Sequence, residues 1–348
     1  MQPPTARGPL SEAVTGALTG RAPLDVGAAR AGVRRCAAAV DNGGVDPLTD
    51  DDLQLALWTC YELHYRGFDG VDPEWEWDPD LLAVRRELEA IFEAHLRRRT
   101  TEWVDAALED SGDIAERLFA LTGSFDGPPV AAYVQREAGL AQFREFMVHR
   151  SLFHLKESDP QSWAIPRLRG GPKATLVELQ YDEYGGGRAE RVHSTLFGDS
   201  LEACGLDRGY GAYVDHVPGS TLAVSNTMSL LGLHRRLAAA AMGNFGAFEA
   251  SSSLPCRKYV GGIHRLNLPD AVAAYFEEHV EADAVHEQLA LRGICGRLVE
   301  QDPFCEREVL FGAATALHVD AVSGEQMLTA WQQGRSSLTI PLAKEVVA

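Results

Sequence analysis

The chain has 348 residues, 45% hydrophobic, and a formal net charge of -18. That length buries a large core in one or two domains. The negative charge argues against nucleic acid or an anionic membrane surface as a partner, since both need basic patches. Cys36, Cys60, Cys204, Cys256, Cys295 and Cys305 are scattered without a CxxC pair. They read as thiols of a reducing compartment, not as a disulfide framework or zinc site. No signal-peptide pattern opens the chain, and no apolar run approaches the roughly 18 residues a membrane span needs, so a cytoplasmic protein is expected.

Residues 1–30 are rich in Pro, Gly and Ala and are expected to be mobile. Residues 31–125 read as an accessory helical region. "LTDDDLQLALWTCYELHYRGF" has helical periodicity behind an N-cap at Thr49 or Asp50. The loop "DGVDPEWEWDP" interrupts it, and "DLLAVRRELEAIFEAHLRRRT" is an amphipathic helix. "EWVDAALEDSGDIAERLFALTG" continues helical with a break near Gly112.

The stretch "GSFDGPP" at 123–129 marks a boundary before a second region, 126–340. Helical patterns there cover 130–158, 173–184, 189–204, 220–252, 270–301 and 304–333, and nothing alternates long enough for a sheet. The fold class is therefore all-α.

Three segments concentrate chemistry. In "HVEADAVH", Asp283 and His286 lie about 40° and 340° around a helix from His279, so one narrow face carries all three. Inward-facing His and carboxylate pairs on bundle helices build di-metal sites. A wet acidic face with two incidental histidines is the other reading. In "VELQYDEYGGGRAERVH", Glu190 and His193 fall about −20° and −80° from Glu183 if one helix continues, and Glu190-x-x-His193 has the spacing of a di-iron ligand pair. Gly185, Gly186 and Gly187 oppose that continuity, at about 1 kcal/mol each. A loop between two helices remains open. In "AAAAMGNFGAFEASSSLP", Glu249 is either a buried carboxylate needing a cation or an exposed residue at a helix end before Pro255.

Together the segments supply three imidazoles and four carboxylates, enough for two sets of three ligands with one carboxylate to bridge. Nitrogen and oxygen donors without thiolate favour iron. His64, His95, His149, His154, His216, His234, His264 and His318 show no comparable partnering and read as structural or surface residues.

The same motifs, with the flanking stretches "KESDPQSWAIPRL" and "YVDHVPGSTLAVSNTMSLLGLHRRL", resemble the heme-oxygenase-like di-iron oxidases and oxygenases, bacterial iron-containing redox enzymes, over roughly residues 130–340. The resemblance implies a heme-oxygenase-like helical bundle with an N-terminal helical extension, two Fe(II)/Fe(III) ions and O2 as co-substrate, and no heme. It implies one iron held by Glu183, His193 and His286 and a second by Glu249, His279 and Asp283. It implies that an extra carboxylate, assigned to Glu190 with a catalytic role, marks the N-oxygenase branch. Some members of that branch carry a C-terminal cupin domain, which is not expected here.

The implied activity is O2-dependent oxidation of an amine or amino acid at nitrogen, through a peroxo-diferric intermediate, as far as a nitroso or nitro product. An external electron donor and a homodimer are expected. Cleavage of a C–C bond in a fatty acid or amino acid, heme binding, and a non-enzymatic helical protein are the competing readings. Arg167, Arg188 and Arg235 are candidates to hold a substrate carboxylate, against an ordinary surface role.

Overall fold

The structure, a computed structural model, describes residues 1–343, and for residues 281–284 the backbone alone. Among the described residues every extended regular element is helical. No described helix is long and apolar enough to cross a membrane.

Local sequence explains where the helices begin. The N-terminal helices are α1 (Pro9–Leu18), α2 (Val26–Asp41) and α3 (Asp51–Glu62), and α3 starts where the Asp50 carboxylate accepts from the Leu53 N–H. Helix α4 (Pro79–Glu109) is capped by Asp78 with proline at its first position. It runs without interruption to the break at Gly112. A reciprocal capping box between Asp113 and Glu116 then opens α5 (Ile114–Ser124).

The pattern expected as one helix over 130–158 is divided into α6 (Val130–Arg136) and α7 (Leu140–His154), with a short α8 (Asp159–Ser162) beyond. After these come α9 (Gly170–Glu183), α10 (His193–Ala203) and α11 (Gly219–Leu233). Helix α12 (Ala238–Arg265) passes straight through Pro255, where the sequence suggests a stop. An internal proline costs about 3 kcal/mol. Burial of Cys256, Tyr259 and Ile263 beyond it outweighs that cost. Helix α13 (Asp270–Gln288) leads into a π-helical stretch, Leu289–Gly296, followed by α14 (Arg297–Gln301) and α15 (Glu306–Gln332).

Helices α12 and α15 cross in backbone contact. A Cβ on Gly243 would fall 1.8 Å from the Val309 carbonyl oxygen, and one on Gly312 would fall 1.8 Å from that of Ala240. Only glycine permits this approach.

The expected divisions at 30/31 and 125/126 do not appear in the packing. One core joins Leu10, Val14 and Leu18 of α1 to Trp58 and Phe92 and onward to Leu291 and Leu310. Residues 1–30, expected as mobile, thus carry α1 and supply core side chains. A second cluster, rich in aromatics, gathers Phe146, Phe197, Tyr259, Tyr275 and Trp331. A buried ion pair also ties the N-terminal helices to the rest. Lys156 Nζ lies 3.5 Å from Glu62 Oε2, both side chains essentially inaccessible. Tyr210 Oη donates to the same oxygen at 2.6 Å, and the Lys156 ammonium sits 4.3 Å above the Tyr65 ring.

Candidate metal centre

Helices α7, α9, α10, α12 and α13 direct acidic and imidazole groups into one buried volume. Glu183 is the last residue of α9 and His193 the first of α10. The connection is not helical. Gly185, Gly186 and Gly187 all adopt positive φ, of 72°, 61° and 80°, which turns the chain back on itself. A Cβ on Gly185 would lie 2.6 Å from Arg191 C and Val192 N, so the closing strand of the loop rests directly on that glycine. The reversal brings His193 Nδ1 to 3.0 Å from Glu183 Oε2. The two residues meet as expected, but through a folded loop in place of a shared helix face.

That reversal also decides the fate of Glu190. It sits exposed on the short 3-10 turn Ala189–Arg191 and joins no cluster among the described residues. Its helical angle to Glu183 has no meaning once the helix ends at 183.

The structure supplies a different carboxylate. Glu157, just past α7, has an oxygen within ligand-sharing distance of Glu183, His193 and His279. The donor atoms of these four all lie within 4.8 Å of one another. A second group, under the same limit, contains Glu183, Glu249 and His286. Glu183 belongs to both. His286 Nδ1 is 3.5 Å from an oxygen of Glu183 and 3.5 Å from one of Glu249. Glu249 is 8% exposed and lies mid-helix, so the exposed-end reading of that residue does not hold.

The division therefore differs from the one the resemblance implies. His279 pairs with His193, their ring centroids 4.6 Å apart, and His286 pairs with Glu249. The side chain of Asp283 lies outside the described residues. Sequence reading missed Glu157 because it follows the end of α7 and its partners Glu183, His193 and His279 lie far along the chain, while its one near neighbour, His154 at i−3, reads as structural. The available signal was its place inside "KESDPQSW", immediately before a helix-breaking Asp-Pro.

The surroundings fix these groups. Tyr275 Oη lies 2.9 and 2.8 Å from the two Glu157 oxygens and 2.6 Å from His154 Nδ1, which is itself 3.2 Å from Glu157. His154 is thus a support for Glu157, more than the plain structural residue expected. Burial favours the neutral acid, yet His154 and His279 hold the Glu157 carboxyl well below the usual carboxylate range. Ser158, in the left-handed conformation at φ 71°, donates its hydroxyl to Glu183 Oε2 at 3.0 Å. A non-glycine residue held there costs on the order of 1–3 kcal/mol and is a frequent mark of functional sites.

Two observations fit a cation. His279 Nδ1 lies 2.7 Å from the Tyr275 carbonyl, where it donates, so the Nε2 lone pair is turned toward Glu157 at 3.6 Å. This is how metal-ligating histidines are oriented. His193 Nδ1 is buried and makes no well-aligned hydrogen bond, despite its nearness to Glu183. A ring nitrogen of each histidine lies within 4.8 Å of the other and of oxygens of Glu157 and Glu183. Burial lowers the basicity of His193, but the Glu183 carboxylate raises it further, leaving the imidazole more basic than usual. Three buried or half-buried carboxylates at one centre need positive charge to offset their mutual repulsion.

Above the centre, a cleft of about 370 Å³ opens to solvent, with His193 and His286 in its floor. Its walls come from the glycine loop and from α13.

Comparison with known proteins agrees with this architecture. The model of a family described as iron-containing redox enzymes matches residues 144–321. Over 157 residues the chain is 27% identical to a nitrosourea synthase of Streptomyces achromogenes subsp. streptozoticus, a match covering 45% of this chain and 33% of that protein. The chain thus spans about a third of that relative. The fold resembles that of a CADD-like protein of unknown function from Nostoc punctiforme, with TM-score 0.50 and 19% identity over 62% of this chain and 96% of the other.

Proposed function

The chain belongs to the iron-containing redox enzymes, an oxidoreductase of heme-oxygenase-like helical fold, and from that premise we propose that it holds two irons and oxidises the nitrogen of an amine or amino acid with O2. The observation that carries the reading is the position of Glu183. Its carboxylate is shared by both ligand groups, as a bridge between two metal positions must be.

One iron is held by Glu157, Glu183, His193 and His279. The second would be held by Glu183, Glu249 and His286; Asp283, which the resemblance implies as a further ligand, has its side chain outside the described residues. Glu183, common to both groups, then takes the place of the extra carboxylate first given to Glu190, and Glu157 is added as a ligand of the first iron. Likeness to a nitrosourea synthase, a protein named for an N-nitroso product, supports the same branch.

Bound iron supplies the reduction of O2. Insertion of one oxygen into an N–H bond consumes one O2, two electrons and two protons and releases one water, so an external donor must deliver the electrons. The protein's own part is positional. Tyr275 and His154 hold Glu157, and Ser158 donates to Glu183 Oε2 and orients that carboxylate. The Tyr275 carbonyl keeps the His279 proton on Nδ1. The buried faces of α12 and α13 exclude water from all but the cleft side.

The test is metal-free protein loaded anaerobically with Fe(II). Wild type takes up two irons per chain without a Soret band. Glu157→Ala and Glu249→Ala each lose iron, and Glu190→Ala keeps it. Exposure to O2 with candidate amines then adds oxygen at nitrogen, read by mass spectrometry. Full iron uptake by Glu157→Ala would overturn the ligand assignment. Loss of CO2 or a shortened carbon chain would replace N-oxygenation by C–C cleavage.

A further inference from the structure

Of the three arginines that the sequence offers for a substrate carboxylate, the structure separates one. The Arg167 guanidinium is spent on the backbone carbonyls of Gly232 and Leu233. Arg235 sits in a short turn before α12 and takes no part in the cleft. Arg188 lines the cleft. It is exposed and forms no ion pair among the described residues, whereas its neighbour Arg191 is bound to Glu278 at 2.9 Å across the rim. In a chain of net charge -18, a cation left without a carboxylate at the mouth of a buried metal centre is a selective feature.

The opposite charge stands nearby. Asp182 also lines the cleft, half-exposed, its Oδ2 3.5 Å from His286 Nε2. Val285 adds an exposed apolar surface to the same cleft. Arg188 is carried at the end of the glycine loop, next to Gly187, whose surroundings are open, so it can swing toward a ligand without disturbing the Gly185 contact that fixes His193.

We propose that Arg188 binds the carboxylate of the substrate, and that the substrate class is therefore amino-carboxylic acids as opposed to simple amines. Asp182 faces the cationic end of the same molecule. The guanidinium fork matches a carboxylate in a bidentate manner. Arg188 is a specificity residue and touches no metal ligand in this arrangement. The inference rests on the N-oxygenase reading of the same site.

The experiment uses anaerobic Fe(II)-loaded protein and measures binding, without turnover, of the common L-amino acids and of the amines formed from them by decarboxylation. Wild type is expected to bind at least one amino acid and to bind its decarboxylated partner more weakly by about 10- to 100-fold, the range for a hydrogen bond to a charged group. Arg188→Ala should lose that difference while retaining its iron, and Arg188→Lys should keep part of it. With substrate and O2, the loss should fall on KM and leave kcat nearly unchanged. Equal affinity of Arg188→Ala and wild type for the amino acid overturns the inference. So does wild type that binds the amines as tightly as the acids, an outcome that leaves N-oxygenation standing. Wild type that takes up iron but binds neither set overturns the N-oxygenase reading itself.

Discussion

Replacing Gly185 by alanine tests the loop reversal that brings His193 to Glu183 in the candidate metal centre. Two contributions add. Holding an L-residue at φ 72° costs about 1–2 kcal/mol, partly offset by about 0.4–1 kcal/mol from a less flexible unfolded chain. The new methyl would also sit 2.6 Å from two backbone atoms of the Arg191–Val192 peptide, which cannot rotate away as a side chain can. Overpacking of this kind costs about 1–3 kcal/mol. The sum is about 1–5 kcal/mol. For a chain of 348 residues its middle value, about 3 kcal/mol, is a fall of about 4 °C in Tm, taking the usual entropy of unfolding per residue. Gly187→Ala is the internal control. Its φ is 80°, but no atom lies within 4 Å of the added carbon, so only the conformational cost of about 1 kcal/mol remains. The assay is denaturation of the metal-free proteins, followed by iron quantitation. Gly185→Ala should displace His193 from Glu183 and lose iron at that position, while Gly187→Ala keeps it. Equal stability and equal iron content in the two variants would refute the reasoning.

Three further outcomes are expected. Burial pushes the His149 imidazole down from 6.5 to about 4. The unfolded chain therefore takes up a proton that the fold refuses. Stability is full above pH 6.5, declines as pH falls, and has lost about 3 kcal/mol from this group by pH 4. Denaturant midpoints of metal-free protein across that window should show the decline, and His149→Gln should reduce it without abolishing it, since His318 is depressed to about 4 as well. Tyr275→Phe removes the hydroxyl that anchors Glu157, and should weaken iron binding by about 10- to 100-fold in a competition titration with only a small change in fold stability. Gly312→Ala puts a methyl into the Ala240 carbonyl oxygen and should destabilise by about 3 kcal/mol or more, seen as a lower denaturant midpoint or loss of soluble protein.

The helical class and most element positions were legible because amphipathic periodicity is a local signal. Asp50 and the break at Gly112 stood out for the same reason. His279 and His286 were legible because they share one regular helix. Glu183 and His193 were found by an angle that does not exist, since the glycines end the helix, and they meet through the reversal instead. The same false angle promoted Glu190. Glu157 was invisible because Glu183, His193 and His279 are distant in sequence and it follows a helix end. Pro255 misled because its local penalty is paid back by tertiary burial that no window of sequence contains.

The Glu62–Lys156 pair has a consequence for how this chain can be cut. The family match begins at residue 144, which suggests that the segment ahead of it is dispensable. Yet Glu62 belongs to α3, and among the described residues its buried cation is Lys156, the residue beside Glu157. Removing α3 would leave an ammonium stranded in apolar surroundings one residue from the centre. The catalytic half is therefore not a detachable module. Lineages that shorten the N-terminal helices would have to replace Lys156 in the same step, and the two positions are expected to change together across relatives.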